Sequence, residues 1–438
     1  MRPTNLFRLL ACAAILSITV CAKAQKADTR LGELLNGGDW FALKSEYPVL
    51  KDSVRTPMLR LMSEAMLGYY FNRPAQTVAC VDSLLRNHQA ELGLGNITSM
   101  LMLKSAVEFN RGNYATSADM LKSFERQLKS QNAAMDYTQI DDAVALYELF
   151  RSCRPMTAER PKGDVAIPMT NEPVVLKIPN DTVPRGTVMR VPVEIGGKTY
   201  HSIFDTGAGM TFMSAAFAKK VGVRVLGDSM TIIGESAVKG HAGVLDCMSL
   251  GGIVVRNVPV TINSDTALNS VADIDFVLGL DVMMLLDEVQ IFPHEGKIIV
   301  PARLTVCPST GSNMCIGNRQ SKIKGMSGGK DHIFFFDTGN GTASLSYSFY
   351  KSNKQEIDAV AKKVRRLSGG IGAVSDKDML LLPSWTLRFG GHDVVFKDMP
   401  VMLEDSRIEF GSGNIGMALV NQFNKVTLNF KDCFVEFE

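Results

Sequence analysis

The chain has 438 residues, 46% of them hydrophobic and 21% charged, with a formal net charge of +2. That is the make-up of an ordinary globular protein, with enough apolar residues for roughly two to four domain cores. Setting aside Arg2, Arg8 and Lys23, which lie in a segment expected to be removed, 44 basic residues face 45 acidic ones. Such a balance gives no general pull toward nucleic acid, and no nucleic-acid partner is expected.

Residues 1–24 read as a signal peptide. Arg2 and Arg8 flank its start, an apolar run extends from Leu9 to Val20, and Ala22-Lys23-Ala24 satisfies the small-x-small cleavage rule. The run is too short for a comfortable permanent span of a bilayer. The expectation is an exported protein, periplasmic or extracellular, without a permanent membrane span. Beyond this segment six cysteines remain, an even number that permits disulfides without requiring them. No Cys-x-x-Cys occurs and the six histidines lack ligand spacing, so neither a metal nor a cofactor is expected.

Residues 25–154 carry helical periodicity, with Met58, Leu59, Met62, Met66, Tyr70 and Phe71 on one helix face. Phe71-Asn72-Arg73-Pro74-Ala75 recurs 38 residues later as Phe109-Asn110-Arg111-Gly112-Asn113, and Gly38-Asp39-Trp40 resembles an earlier copy. Helix, short turn and helix at this period resemble tetratricopeptide-type repeats. The functional reading is a surface for a protein partner; the plainer one is a helical domain that stabilises the chain. Residues 155–185 read as a linker, because Pro155, Pro161, Pro168, Pro173, Pro179 and Pro184 interrupt any helical period, with Val174–Ile178 an extended piece that is a candidate to pair with a sheet of the next domain.

From residue 186 the pattern is that of strands. Val188–Ile195, a Gly196-Gly197-Lys198 turn and Tyr200–Phe204 predict a β-hairpin running into Asp205-Thr206-Gly207-Ala208-Gly209. A second copy runs into Asp337-Thr338-Gly339-Asn340-Gly341. Both copies have Gly at +4 from the Asp, Ser at +9, Phe at +12 and Lys at +14, and both follow a Gly-Gly-Lys turn at the same distance. A short helix is expected from Ser214 to Val221. Apolar-Gly-apolar elements close the pattern at Gly279 and Gly416, 74 and 79 residues beyond their aspartates. Each copy ends in a predicted hairpin, Val289–Val300 and Val426–Phe437. The expected architecture is thus all-α from 25 to 154, then two duplicated all-β lobes, 186–303 and 304–438, in one monomeric chain.

Two sequence motifs compete with this reading and fail on context. Gly325-Met326-Ser327-Gly328-Gly329 fits a nucleophile elbow, but a strand follows the serine where a helix is required. Gly411-Ser412-Gly413-Asn414-Ile415-Gly416 fits a dinucleotide fingerprint, but too little chain remains for a βαβ unit.

The paired Asp-Thr-Gly turns, each followed by an apolar-apolar-Gly element, resemble the aspartic proteases of the retropepsin and pepsin superfamily, with both halves in one chain. The resemblance covers roughly residues 186–438. It implies an endopeptidase acting on peptide or protein substrates through a water activated by an Asp205/Asp337 dyad. Thr206 and Thr338 would cross-bond the two loops, Gly207 and Gly339 would let backbone approach the carboxyls, and Ala208 and Asn340 would flank them. Asn340 is also a candidate amide donor to the dyad. Hairpin flaps are expected around Gly234, Glu235 and Ser236 in the first lobe and Gly369, Gly370, Ile371 and Gly372 in the second. Lys362, Lys363, Arg365 and Arg366 precede the second tip and read as a solvated helix face rather than a site for acidic substrates. The alternative function is an inactive peptide-binding protein of the same fold, working mainly through its helical repeats.

Overall fold

The computed structural model describes residues 22–131, 136–178, 181–227, 230–233, 237–264, 274–370, 373–406 and 410–438. They fall into two compact units, divided between Pro155 and Met156.

The N-terminal unit is helical: α1 (Ala22–Gly37), α2 (Trp40–Leu50), α3 (Pro57–Tyr70), α4 (Pro74–Asn87), α5 (Gln89–Asn110), α6 (Tyr114–Ser130) and α7 (Thr138–Phe150). The α3–α4 and α5–α6 pairs repeat one local design. Thr77 Oγ1 donates to Ala65 O across the first pair, and forty residues on Ser117 Oγ donates to Ser105 O across the second. The turns match at the same offset, with Arg73 N–H bonded to Gly68 O and Asn113 N–H to Glu108 O. Asn72 and Gly112 both take positive φ, 52° and 81°. The structural repeat is therefore two residues longer than the Phe-Asn-Arg match implies. Close approach explains which positions are buried in α3: Ser63, Ala65 and Gly68 join Met66 and Tyr70, whereas Met58, Leu59 and Met62 are only partly covered. A Cβ at Gly68 would lie 2.6 Å from Thr77 Oγ1, so only glycine fits there.

The second unit is built on strands. Its first part comprises β1 (Thr157–Glu159), β2 (Val165–Pro168), β3 (Thr170–Ile178), β4 (Asp181–Ile195), β5 (Lys198–Phe204), β6 (Thr211–Ser214), α8 (Ala215–Val221), β7 (Arg224–Val225), β8 (Met230–Ile233), β9 (Ala237–Leu250), β10 (Ile253–Asn263), β11 (Phe276–Leu278), α9 (Leu280–Leu285), β12 (Glu288–Phe292) and β13 (Lys297–Val300). Then follow β14 (Met314–Gly317), β15 (Gln320–Ser327), β16 (Lys330–Phe336), β17 (Ala343–Leu345), α10 (Tyr347–Ser352), α11 (Lys354–Val360), β18 (Lys362–Gly370), β19 (Ala373–Phe389), β20 (His392–Met402), β21 (Gly413–Ile415), α12 (Met417–Val420), β22 (Val426–Asn429) and β23 (Phe434–Phe437).

The duplication is visible in the pairing. In one sheet β11 lies between β5 and β6, with Val277 opposite Ile203 and Leu278 opposite Phe204. In the other β21 lies between β16 and β17, with Asn414 opposite Phe335 and Ile415 opposite Phe336. The expected hairpin turns are present, and Gly196, Gly197, Gly328 and Gly329 all have φ between 56° and 76°, as two-residue primed turns demand. Ser327-Gly328-Gly329 is thus a hairpin turn and no nucleophile elbow. Ser214 caps α8 by accepting from Phe217 N–H, and Ser346 caps α10 by accepting from Phe349 N–H. The closing hairpins of the two lobes join: β12 pairs with β22, Glu288 opposite Asn429, in a third sheet ordered β2-β13-β12-β22-β23. At its centre Glu288, fully buried, accepts from Gln290, from Asn429 and from both the N–H and hydroxyl of Thr305. That carboxylate ties the segment leaving the first lobe to strands of both lobes.

The Pro-rich segment requires a correction. It forms no free linker but is built into this unit, because β1 pairs with β10, β2 with β13 and β3 with β4. Its prolines fall where a strand tolerates a missing donor: Pro168 ends a strand at a sheet edge, and Pro173 sits at a shift of register. A chain beginning at Met156 should therefore fold, whereas one beginning at Gly186 loses β1 to β3 and should be insoluble or melt far lower. Thermal unfolding of the two truncations, compared with the full chain, checks this.

Candidate active site

The apolar strands β5 and β16 deliver the two aspartates. Phe204 and Phe336, the residues before them, are fully buried, and each anchors its strand end with about 2 kcal/mol of apolar burial. Asp205 N–H then bonds Leu278 O and Asp337 N–H bonds Ile415 O, both at 3.0 Å, which hangs each loop on the strand that leads to Gly279 or Gly416. The other side of each loop is fixed the same way, Leu280 N–H to Ala208 O at 2.7 Å and Met417 N–H to Asn340 O at 2.8 Å. A side chain at Gly279 or Gly416 would strike that backbone, which accounts for both glycines.

Beneath the carboxyls the threonines interlock. Thr206 N–H donates to Thr338 Oγ1 at 3.0 Å and Thr338 N–H to Thr206 Oγ1 at 3.1 Å. Thr206 Oγ1 donates to Phe336 O and Thr338 Oγ1 to Phe204 O, both at 2.7 Å. Both threonines are completely buried, so all four bonds are made away from competing water. Ser321 adds a bond to Phe336 O at 2.7 Å from the second lobe alone.

This clamp sets Asp205 and Asp337 side by side, close enough to share a hydrogen bond. Gly207 N–H and Gly339 N–H both donate to Asp205 Oδ1, at 2.7 and 3.0 Å. A Cβ on either glycine would collide with the carboxyl of the opposite lobe. Each carboxyl keeps an edge open but is otherwise surrounded by protein. Burial, followed by the neighbouring Asp337 charge, pushes Asp205 well above the ordinary carboxylate range. Burial raises Asp337 too, but hydrogen bonds from Asn414 and Asp205 oppose it. Two carboxyls placed this way lose their protons one at a time, as a pair.

The flanking residues behave less symmetrically than the motifs. Ala208 gives no side-chain bond and packs against an apolar cluster of Val188, Ile203, Phe212 and Val277. Asn340 does not turn its amide to the dyad as expected: its Oδ1 accepts from Thr342 N–H and Oγ1, at 3.0 and 2.9 Å. Asparagine readily closes such a turn on the residue two ahead. The donor to Asp337 is instead Asn414, whose Nδ2 lies 2.9 Å from Asp337 Oδ2. The signal was present in the sequence, since Asn414 occupies the position that Val277 holds in the other copy. Asp281, also missed, accepts from Thr211 N–H and Oγ1, both at 3.1 Å, and from Val282 N–H at 2.9 Å, securing the far end of the first loop. Burial pushes its pKa up to about 6 against the pull of those bonds.

A strand pair leads into each segment expected to form a flap. β8 pairs with β9 from Ile233 opposite Ala237, and Gly234, Glu235 and Ser236 lie outside the described residues. β18 pairs with β19, Gly369 opposite Val374 and Gly370 opposite Ala373, while Ile371 and Gly372 lie outside the described residues. Lys362, Lys363, Arg365 and Arg366 are not on a helix face. They lie on β18, and Lys363 pairs with Asp378 across the hairpin at 3.4 Å. Among the described residues no cluster of His, Cys, Asp and Glu suits a metal ion, and no helix is long and apolar enough to cross a membrane.

Residues 191–282, which span the first Asp-Thr-Gly turn and the Leu278-Gly279 element, match the family model for aspartyl proteases. Among solved structures, similarity is found to a retropepsin-like aspartic protease from Rickettsia conorii, with 15% identity, 30% of this chain and 92% of that chain covered, and a TM-score of 0.20. It is found also to conglutin gamma, a unique basic 7S globulin from lupine seeds, with 8% identity, 63% and 95% covered, and a TM-score of 0.36. A sequence search of curated proteins gave no match. The helical unit is thus followed by a β-rich unit of two duplicated halves, and residues 191–282 of its first half are similar to aspartyl proteases.

The clamp carries a direct test. Thr206→Val keeps the shape but leaves Thr338 N–H without its acceptor and Phe336 O without one of its donors, a loss of about 2–5 kcal/mol for groups this buried. Urea unfolding of Thr206→Val and Thr338→Val should show comparable losses from either lobe.

Proposed function

We propose that this protein is an exported aspartic endopeptidase in which Asp205 and Asp337 act as one catalytic pair. The observation that carries this reading is the pair of carboxyls held together over the interlocked threonines, each raised by burial so that one proton is retained between them. The ionised member takes a proton from a water as that water attacks the scissile carbonyl carbon. The protonated member donates to the carbonyl oxygen, and no covalent intermediate forms. Thr206, Thr338, Gly207 and Gly339 hold this geometry, and the β8–β9 and β18–β19 hairpins are the substrate-covering elements. Export rests on the N-terminal charged and apolar pattern. The repeated helix pairs give the N-terminal unit the character of a docking surface for a protein partner or substrate.

A peptide library incubated with mature protein across pH and analysed by mass spectrometry tests the activity. Asp205→Asn and Asp337→Asn should each reduce cleavage by at least about 10³-fold, because each carboxyl has its own proton to move. Both variants should fold, with melting temperatures at neutral pH no lower than wild type, since each removes the cost of burying a carboxyl whose pKa burial has raised. Near wild-type turnover in either one would refute the pairing.

The pH optimum should lie at mildly acidic to near-neutral values. Activity requires one proton on the pair, and at Ala208 no hydroxyl stabilises an ionised Asp205. A group whose ionised form has fewer donors keeps its proton to higher pH, so the alkaline limb of the rate profile is displaced upward. Ala208→Ser supplies a donor and should move that limb down. An optimum near pH 2, or an unmoved limb, would contradict this.

A further inference from the structure

Duplication would make the two aspartates equivalent, yet the reaction needs one acid and one base. The loops alone supply little distinction. Gly207 and Gly339 both turn their N–H groups to the inner oxygen of Asp205, and the N–H groups of Gly339 and Asn340 bear on Asp337. Besides each other, the carboxyls face no charged group among these contacts. Asp281 and Arg319 flank the first loop at Thr211 and Met210 and act on one another. The difference lies on the strands behind the loops. β11 presents Val277, part of an apolar cluster, and β21 presents Asn414 at the equivalent register.

Asn414 Nδ2 donates to Asp337 Oδ2 at 2.9 Å, and its Oδ1 is buried with no donor among the described residues. An asparagine that served the fold would have both ends of its amide engaged. This one spends its side chain on the carboxylate alone and leaves a buried oxygen unpaired to do so. An oxygen that accepts an amide N–H is poorly placed to carry a proton itself. Asp205 differs, because its two donors are loop amides on Oδ1 and, among the described residues, no neighbouring strand gives it a side-chain amide.

We propose that Asn414 is a positioning residue that breaks the symmetry of the pair, fixing Asp337 as the ionised base and Asp205 as the protonated acid. This rests on the protease reading above. In the cycle, Asp337 takes the proton of the attacking water while Asp205 gives its proton to the carbonyl oxygen. On collapse the C–N bond breaks, the Asp337 proton passes to the leaving amine, and a hydroxyl of the tetrahedral species gives its proton to Asp205, which restores a single proton to the pair. Had the amide the opposite orientation, its oxygen would call for a protonated Asp337, and the roles would exchange.

The test compares wild type with Asn414→Val, which copies Val277, in the pH profile of kcat on one peptide substrate. The Asn414 bond is present in the singly and doubly ionised pair and absent when both carboxyls are protonated. Its loss therefore raises the first ionisation and leaves the second nearly unmoved. The acid limb should climb by roughly one pH unit, with the alkaline limb in place and the thermal midpoint near that of wild type. A folded, active Asn414→Val with an unmoved acid limb overturns the proposal. So does a uniform fall of kcat at every pH, the mark of a purely structural residue. Should Asn414→Val fail to fold, carbon-13 titration of the remaining carboxyl in full-length Asp205→Asn and Asp337→Asn gives an independent reading. Asp337 should titrate at lower pH than Asp205, and an equal or reversed order overturns the assignment. Failure of the protease reading looks different, since wild type would then cut no peptide while the titration order persists.

Discussion

The interlocked threonines are what the rest of the second unit depends on. Two carboxyls pressed together with little water repel, and nothing in their own chemistry would keep two separate lobes in register around them. Thr206 and Thr338 overcome this by making each lobe complete the hydrogen bonds of the other, amide to hydroxyl and hydroxyl to carbonyl. Because all these groups are buried, separating the lobes would strand them without water, so the clamp holds through the cost of breaking it. The shared β12–β22 sheet adds a second, backbone tie between the same two halves.

On this base the two copies have diverged where chemistry asks for difference and stayed alike where geometry asks for sameness. The bonds that hang each loop on its supporting strands match to about 0.1 Å. The side chains around the carboxyls do not: Ala208 and Val277 line one, Asn340 and Asn414 stand at the other. Even the fastening of the loops differs, by Asp281 in the first lobe and by Asn340 in the second. A duplicated frame with an unequal lining is a direct route from two equal aspartates to an acid and a base.

Much of this was legible in the residues themselves. The Gly-Gly turns, the alternation before each aspartate and the serine caps are local signals, and local structure followed them. What escaped was set by tertiary pairing. Pro168 and Pro173 looked like linker punctuation because the sequence does not say which strands lie at an edge or at a shift in register. The basic run from Lys362 looked helical because charge spacing alone does not reveal the partner strand β19. Asn340, directly after Asp-Thr-Gly, is the candidate amide donor that the sequence offers, while Asn414, 77 residues from Asp337, makes the bond. The helical repeat was recognisable, but its period was misjudged, since a shared Phe-Asn-Arg string falls two residues out of step with the turns that the backbone builds.

The central claim is that Asp205 and Asp337 form one site shaped for the tetrahedral state of a peptide bond. Calorimetric binding of a peptide whose scissile bond is replaced by a hydroxyl-bearing tetrahedral mimic tests it most directly. The account predicts tight binding to the intact pair and a loss on the order of 100-fold or more when either aspartate becomes asparagine, because the hydroxyl must be held by both. Equal affinity for wild type and both variants would contradict it.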